Sequence, residues 1–322
     1  GVPAVVRRME GLELAGGMLD RVSGVFCDLA GADSTDAREA LQRDLAPKMS
    51  AFSSDMTNNK ALFGRIESLW QDRADLDLTP EQLRVLTLYR QMFVRSGALL
   101  EGEKAARLTA VKSRLAVLGT QFSQNLLADE RAWFMALAEA DLEGLPDFVV
   151  ASARAAGAEK GVAGPVVTLS RSLIVPFLQF SPRRALRQAA FEAWGLRGAN
   201  GGATDNRAVA AEILSLRQER ATLLGYASFA DYKLEPEMAK TPAAVRDLLM
   251  RVWEPAKRKA LCDAALLQAR LLADGIAGPL QPWDWRYYSE KRRVAEHDLD
   301  EAVLKPYLGL EAMLAAQFDC AN

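Results

Sequence analysis

Hydrolytic and metal chemistry usually starts from imidazoles and thiolates, and this chain is poor in both. Its 322 residues contain one histidine, His297, and three cysteines, Cys27, Cys262 and Cys320. Zinc is normally caged by histidine, cysteinate and carboxylate, and histidine is the commonest general base near neutral pH. The HExxH arrangement needs two histidines one helical turn apart, so it cannot be composed within this sequence. The cysteines lie too far apart to form a CxxC pair. Cys262, among Leu261, Ala264 and Ala265, reads as core packing, as does Cys27 beside Phe26. His297, in Ala295-Glu296-His297-Asp298, reads as a surface residue. The expectation is that this chain carries no catalytic residue, no metal ligand set and no cofactor of its own. Gly198–Thr204 is glycine-rich but lacks the following Lys-Ser/Thr of a phosphate-binding loop, so it reads as a connection between helices. Glu235 and Glu237 near Asp231 read as a solvated helix end.

The densest constellation is Pro282-Trp283-Asp284-Trp285-Arg286-Tyr287-Tyr288. Four aromatic rings, one acid and one guanidinium in seven residues combine contact area with several hydrogen-bonding tips. Two readings stand side by side. In the plainer one, Asp284 caps a helix start and the rings pack a domain junction. In the functional one, Arg286, Tyr287 and Tyr288 line a groove that binds peptide.

The elements that must position these residues are almost all helical. Leu108, Val111, Leu115, Leu118, Phe122 and Leu126 advance by three or four residues, the spacing of one long amphipathic helix beginning near Glu101. Thr79-Pro80-Glu81-Gln82 spells a capping box with proline in the first turn. Ser181-Pro182 and Thr241-Pro242 repeat the cap-then-proline device, while Gly225 and Gly275 mark helix ends. Pro255 predicts a kink or break within 245–273. Strand signal is confined to Pro165–Ser170 and, more weakly, Phe148–Val150. Ala155–Gly164 and Arg197–Thr204 read as loops, and Leu308–Asn322 as an amphipathic helix. The fold class is therefore mostly α: a multi-helix, two-layer body with at most one small β element. The first layer is expected over 1–165 and the second over 166–322.

Composition excludes several classes. Forty basic residues nearly balance 42 acidic ones, for a formal net charge of −2, so no electrostatic case exists for nucleic acid or an anionic membrane. No apolar run approaches the roughly 20 residues needed to span a bilayer. The run Gly1–Val6 is too short for a signal-peptide core and lacks a charged leader. With three scattered cysteines, these features fit a reducing compartment, and the cytoplasm is the expectation.

The wording of several segments resembles one family. Pro282–Tyr288 followed by Glu290-Lys291 is similar to the "PWD..YY.EK" signature of the thimet oligopeptidase family of zinc metallopeptidases. Arg220–Phe229 is similar to its "R..LA..LGY.SF" helix end, and Met238–Pro242 to its "MA.TP" step. Arg184–Trp194 resembles the helix preceding its loop, and Asp298-Leu299-Asp300 with Lys305-Pro306-Tyr307 also fits. In order, these cover about residues 20 to 322, and the Trp-Asp-Trp-Arg-Tyr-Tyr wording is nearest to the bacterial peptidyl-dipeptidase branch, with oligopeptidase A as neighbour. The resemblance implies the N-terminal half of a larger, helical, channel-forming peptidase fold. It also implies that zinc belongs to the full-length enzyme and that short peptides are its substrates. No residue here matches the family's zinc ligands, its catalytic glutamate or its transition-state histidine and tyrosine, so the chain alone is expected to be inactive. Faces that would pack on a missing half predict self-association. The alternative is a stand-alone, non-catalytic helical peptide-binding or scaffold protein derived from such a peptidase.

Overall fold

A computed structural model describes residues 11–12, 14–32, 35–57, 59–297 and 305–321. Gly1–Val6, Asp298–Asp300 and Asn322, used in the sequence reading, lie outside the described residues. The chain is mostly α, as expected. The helices run α1 (Gly17–Ala32), α2 (Asp36–Thr57), α3 (Lys60–Gln71), α4 (Pro80–Ser96) and α5 (Gly102–Ala132). After them come α6 (Asp147–Glu159), α7 (Arg171–Phe180), α8 (Arg184–Gly195), α9 (Arg207–Leu223) and α10 (Phe229–Leu234). The last three are α11 (Pro242–Ala273), α12 (Pro282–His297) and α13 (Leu310–Ala321). Two three-residue strands, β1 (Phe134–Ala136) and β2 (Val166–Thr168), pair antiparallel with Met135 opposite Val167.

By contacts the chain forms two compact units, Gly1–Ser113 with Gln218–Phe229, and Arg114–Arg217 with Ala230–Asn322. This is a division by contacts, distinct from the layer boundary placed at 165/166. The first unit is centred on Phe63, Ile66 and Leu69 of α3 packed with Leu86 and Phe93 of α4, the two phenylalanine rings stacked at 5.8 Å. Those apolar residues recur at steps of three in α3 and of seven, two turns, in α4, so each helix presents one stripe to the other. The entry to α4 is held by the expected capping box: Gln82 N–H donates to Thr79 Oγ1 at 3.2 Å, and Thr79 N–H to Gln82 Oε1 at 3.1 Å.

The second unit is centred on Leu137, Val149, Ala153, Val167, Ile174, Phe177, Leu178 and Ala190, contributed by β2, α6, α7, α8 and the segment after β1. Against this cluster α12 packs on α7 and α8, while α11 packs on α12.

Three local expectations are corrected. Phe148–Val150 is helical, not a strand, because Val149, Ala153 and Gly157 fall one turn apart and are buried together. The same helix carries Ala155–Glu159, so only the end of the expected loop 155–164 is non-helical. Ser181 does not start α8; it closes α7, donating its N–H to Phe177 O at 2.9 Å, and Arg183 stands at the α8 N-cap. Of the kink or break expected at Pro255 the break does not occur, since helix α11 runs through it. Arg251, whose carbonyl loses its intrahelical partner, is exposed and open to water.

Candidate peptide-contact site

The segment 282–288 opens α12, and its orientation is set by a buried ion cluster. Asp284 has no exposed side-chain surface and Arg187 has 1%. Arg184 and Arg187 lie three apart on α8, hence on one face, and both aim at Asp284. Arg184 donates from Nε to Oδ1 at 3.0 Å and from Nη2 to Oδ2 at 2.7 Å, and Arg187 Nη2 donates to Oδ1 at 3.0 Å. The remaining donors of Arg187 go to main-chain carbonyls, Nη1 to Ser181 O at 2.7 Å and Nε to Trp283 O at 3.2 Å. Its guanidinium also lies 4.1 Å over the Tyr287 ring. Asp284 further accepts the Gln281 N–H at 3.1 Å. Burial pushes the Asp284 carboxyl up, but the bonds from Arg184, the Gln281 amide and Arg187 outweigh it and hold the carboxyl below its ordinary value.

Asp284 is therefore not the N-cap expected from the sequence. It lies within the first turn of a helix that begins at Pro282, reaching back to the amide before it. A carboxylate pinned by two guanidiniums has no free lone pair for proton transfer, so this cluster holds the element in place.

The three groove candidates sit in different surroundings. Tyr288 is buried and donates its hydroxyl to Asp274 Oδ2 at 3.1 Å. Burial and the Asp274 carboxylate push it up to about 12, so it stays protonated at neutral pH. Tyr287 is half-buried, edge-on to Tyr288 at 5.2 Å, with Arg187 on its face and the Lys291 ammonium 5.1 Å from its centre. Arg286 is exposed and, with the 37% exposed Trp285, lies on a concavity of about 890 Å³. Phe191, Ala264, Gln268 and Pro279 also line it. Gln268 fixes the lip, donating to Gly278 O at 3.0 Å and accepting from Leu280 N–H at 2.6 Å. An apolar floor beside one guanidinium suits binding an extended chain; the concavity offers no nucleophile and no base.

The other candidates resolve simply. Two amides of Gly198–Thr204 donate to carboxylates of the chain itself, Gly198 N–H to Asp129 Oδ2 at 2.7 Å and Gly201 N–H to Asp205 Oδ2 at 2.8 Å. Asn200 and Thr204 also donate to Asp129, so the loop already holds its anion. Cys27 and Cys262 are exposed, which corrects the core reading, and Cys320 is exposed too. Cys262 lies five residues before Leu267, about 140° around α11 from the side that Leu267 buries. His297 is exposed, as expected. Among the described residues no three of His, Cys, Asp and Glu gather as a metal ligand set. Among them, too, no helix is long and apolar enough to cross a membrane.

Sequence reasoning missed the Arg184–Arg187–Asp284 cluster. Two signals were available: an acid set between two tryptophans, which water cannot serve well, and two arginines at i, i+3 in a helix rich in alanine.

Comparison with known proteins shows what the chain is similar to. Residues 177–319 match the family model "Peptidase family M3", a span that contains α8, the ion cluster and α12. Over nearly its whole length the chain is similar to peptidases carrying that chemistry. It is 34% identical to the dipeptidyl carboxypeptidase of Salmonella typhimurium over 316 residues, 97% of this chain and 46% of that protein. It is 32% identical to the Escherichia coli dipeptidyl carboxypeptidase, over 94% of this chain and 45% of that protein. Against oligopeptidase A of Salmonella typhimurium it is 31% identical, over 85% of this chain and 41% of that protein. The resemblance drawn from the motifs is borne out as a likeness to Peptidase family M3, to dipeptidyl carboxypeptidases and to oligopeptidase A. It spans about half the length of the curated relatives it matches.

Proposed function

We infer that this chain forms the substrate-binding, non-catalytic part of a zinc-dependent oligopeptidase of peptidyl-dipeptidase type that cleaves short peptides in the cytoplasm. The carrying observation is the pair of dipeptidyl carboxypeptidases aligned along 97% and 94% of the chain, set beside a single exposed histidine. The metal and the base that activates its water belong to polypeptide outside these 322 residues, so the chain alone hydrolyses nothing. Within it, Arg286 and Trp285 contact the peptide, and Tyr287 and Tyr288 set the angle of the helix that presents them. The isolated chain self-associates at high concentration through apolar faces that lack their cover.

The test has two arms. The 322-residue chain and the product of the uninterrupted reading frame are each assayed for chelator-sensitive release of dipeptides from short peptides and for bound zinc. Activity and one zinc per chain are expected only where the longer product carries an HExxH. Zinc-dependent turnover by the 322-residue chain overturns this reading. A frame that encodes no such motif favours the second reading, a stand-alone peptide-binding scaffold, which the exposed Arg286–Trp285 concavity also suits.

A further inference from the structure

Helix α11 carries an apolar stripe of which only one end is covered. Val245, Leu248, Leu249, Val252, Trp253, Ala256 and Ala260 follow one another at three- and four-residue steps, and Ala264, Leu267 and Leu271 continue the same line. At the far end Leu267 and Leu271 are 1% and 0% exposed, packed with Tyr288 of α12. At the near end the stripe is open: Leu248 is 56% exposed, Leu249 60%, Val252 58% and Trp253 57%. Every residue from Arg246 to Cys262 is exposed. A helix of this length with an apolar stripe and a charged back is a packing element, yet no described element packs on its first half. Helix α13 is in the same condition, with Leu310, Met313, Leu314 and Phe318 between 44% and 74% exposed and none of its described residues buried.

We propose that the open half of the α11 stripe, residues 245–260, is the docking surface for the part of the M3 peptidase polypeptide that this chain does not span. This rests on the function inferred above. Three observations select that occupant. Helix α11 lies inside the matched span 177–319 and α13 lies in it up to Asp319, so both belong to the region the family model covers. The relatives carry more than half their length beyond what this chain matches, and that remainder must bury its apolar surface against something. The stripe is also continuous with one already buried at Leu267 and Leu271. Charge narrows the partner further. Arg246, Arg251, Lys257, Arg258 and Lys259 outnumber Asp247, Glu254 and Asp263 along 246–263, so the docking element is an amphipathic segment with acidic flanks. A second copy of the chain would bring the same basic flanks against themselves.

The experiment mixes the 322-residue chain with the separately purified portion of the Salmonella typhimurium dipeptidyl carboxypeptidase that it does not match. Sedimentation gives the stoichiometry, hydrogen exchange maps protection, and peptide hydrolysis is followed in parallel. The expected result is a one-to-one complex that dissolves any self-association of the chain and protects amides across 245–260. Leu249→Glu with Trp253→Glu weakens the complex by about tenfold or more, with helicity and melting temperature retained. Met238→Glu, at a fully exposed site off the stripe, leaves it unchanged. Absence of a complex, a homodimer on the stripe that the added portion does not displace, or a complex insensitive to the double variant overturns the proposal. Hydrolysis by a complex whose protection lies elsewhere would sink the docking surface and keep the proposed function. Docking at the stripe without zinc-dependent hydrolysis would do the reverse.

Discussion

The sharpest test at the residue scale concerns unequal burial of two arginines sharing one carboxylate. Arg187 has 1% of its side chain exposed and Arg184 has 34%, while Asp284 has none. Removing the carboxylate strands a buried guanidinium, so Asp284→Ala should cost about 3–5 kcal/mol in denaturant unfolding. Arg184→Ala leaves Arg187 in place and opens the site to water, and about 1 kcal/mol is expected. Equal losses in the two variants would show that burial does not set the energetics. The sign of the pH dependence follows from the lowered carboxyl of Asp284. Its contribution is present above the ordinary aspartate range and fades as pH falls from about 4 downward, and Asp284→Ala should flatten that limb. Tyr288 acts at the other end. With its hydroxyl pushed up to about 12, the unfolded chain loses that proton first, so stability falls with rising pH from about 10. Lys291, raised against its burial by its bond to Asp274, adds to the same alkaline slope, so Tyr288→Phe should lessen the slope, at a cost of about 1 kcal/mol for the lost bond to Asp274. An unchanged slope in the variant would assign it to another group. The importance of this segment was legible from its aromatic density. Which side chains are buried was not, because partners 100 residues away on α8 decide it.

At the element scale, local signals were read well wherever the physics is local. The Thr79 box, the Thr241 cap and the left-handed Gly225 and Gly275 depend only on neighbours in sequence, and all are present. The failures share a cause. Val149 and Val150 are β-branched, but the face they share with Ala153 lies against the sheet, and packing overrides propensity. Gly157 shows the same limit more severely. It sits inside α6, where glycine is normally a cost, and nothing in its neighbourhood explains it. The structure does: a Cβ there would overlap the carbonyl oxygen of Gly164, while Val162 N–H closes the turn on Gly157 O at 2.9 Å. Gly157→Ala, stabilising in an ordinary helix, should instead destabilise by more than about 1 kcal/mol, because backbone must move. A rise in melting temperature for that variant would show that the close approach is not kept in solution.

At the scale of the whole molecule, the decisive quantity is what the chain can hold, and zinc offers a measurement independent of catalysis. A ligand bound by the folded chain alone raises stability by about 4 kcal/mol when present at a thousand times its dissociation constant. For a chain of this size that is a rise of several degrees in melting temperature. A peptidase zinc held at nanomolar affinity would therefore announce itself at micromolar metal. Here the single imidazole and all three thiols are exposed, and no three-donor group forms among the described residues. The donors available reach zinc one at a time, from solvent, as they would in the unfolded chain, so binding gives no net stabilisation. The expected outcome is an unchanged melting temperature in micromolar zinc and less than one retained zinc per chain after dialysis. Replacing Cys27, Cys262 and Cys320 with serine should leave both readings where they were. A shift of several degrees that survives the cysteine replacements, with one zinc retained, would place a complete metal site inside these 322 residues. The division between a binding part and a catalytic part would then fall.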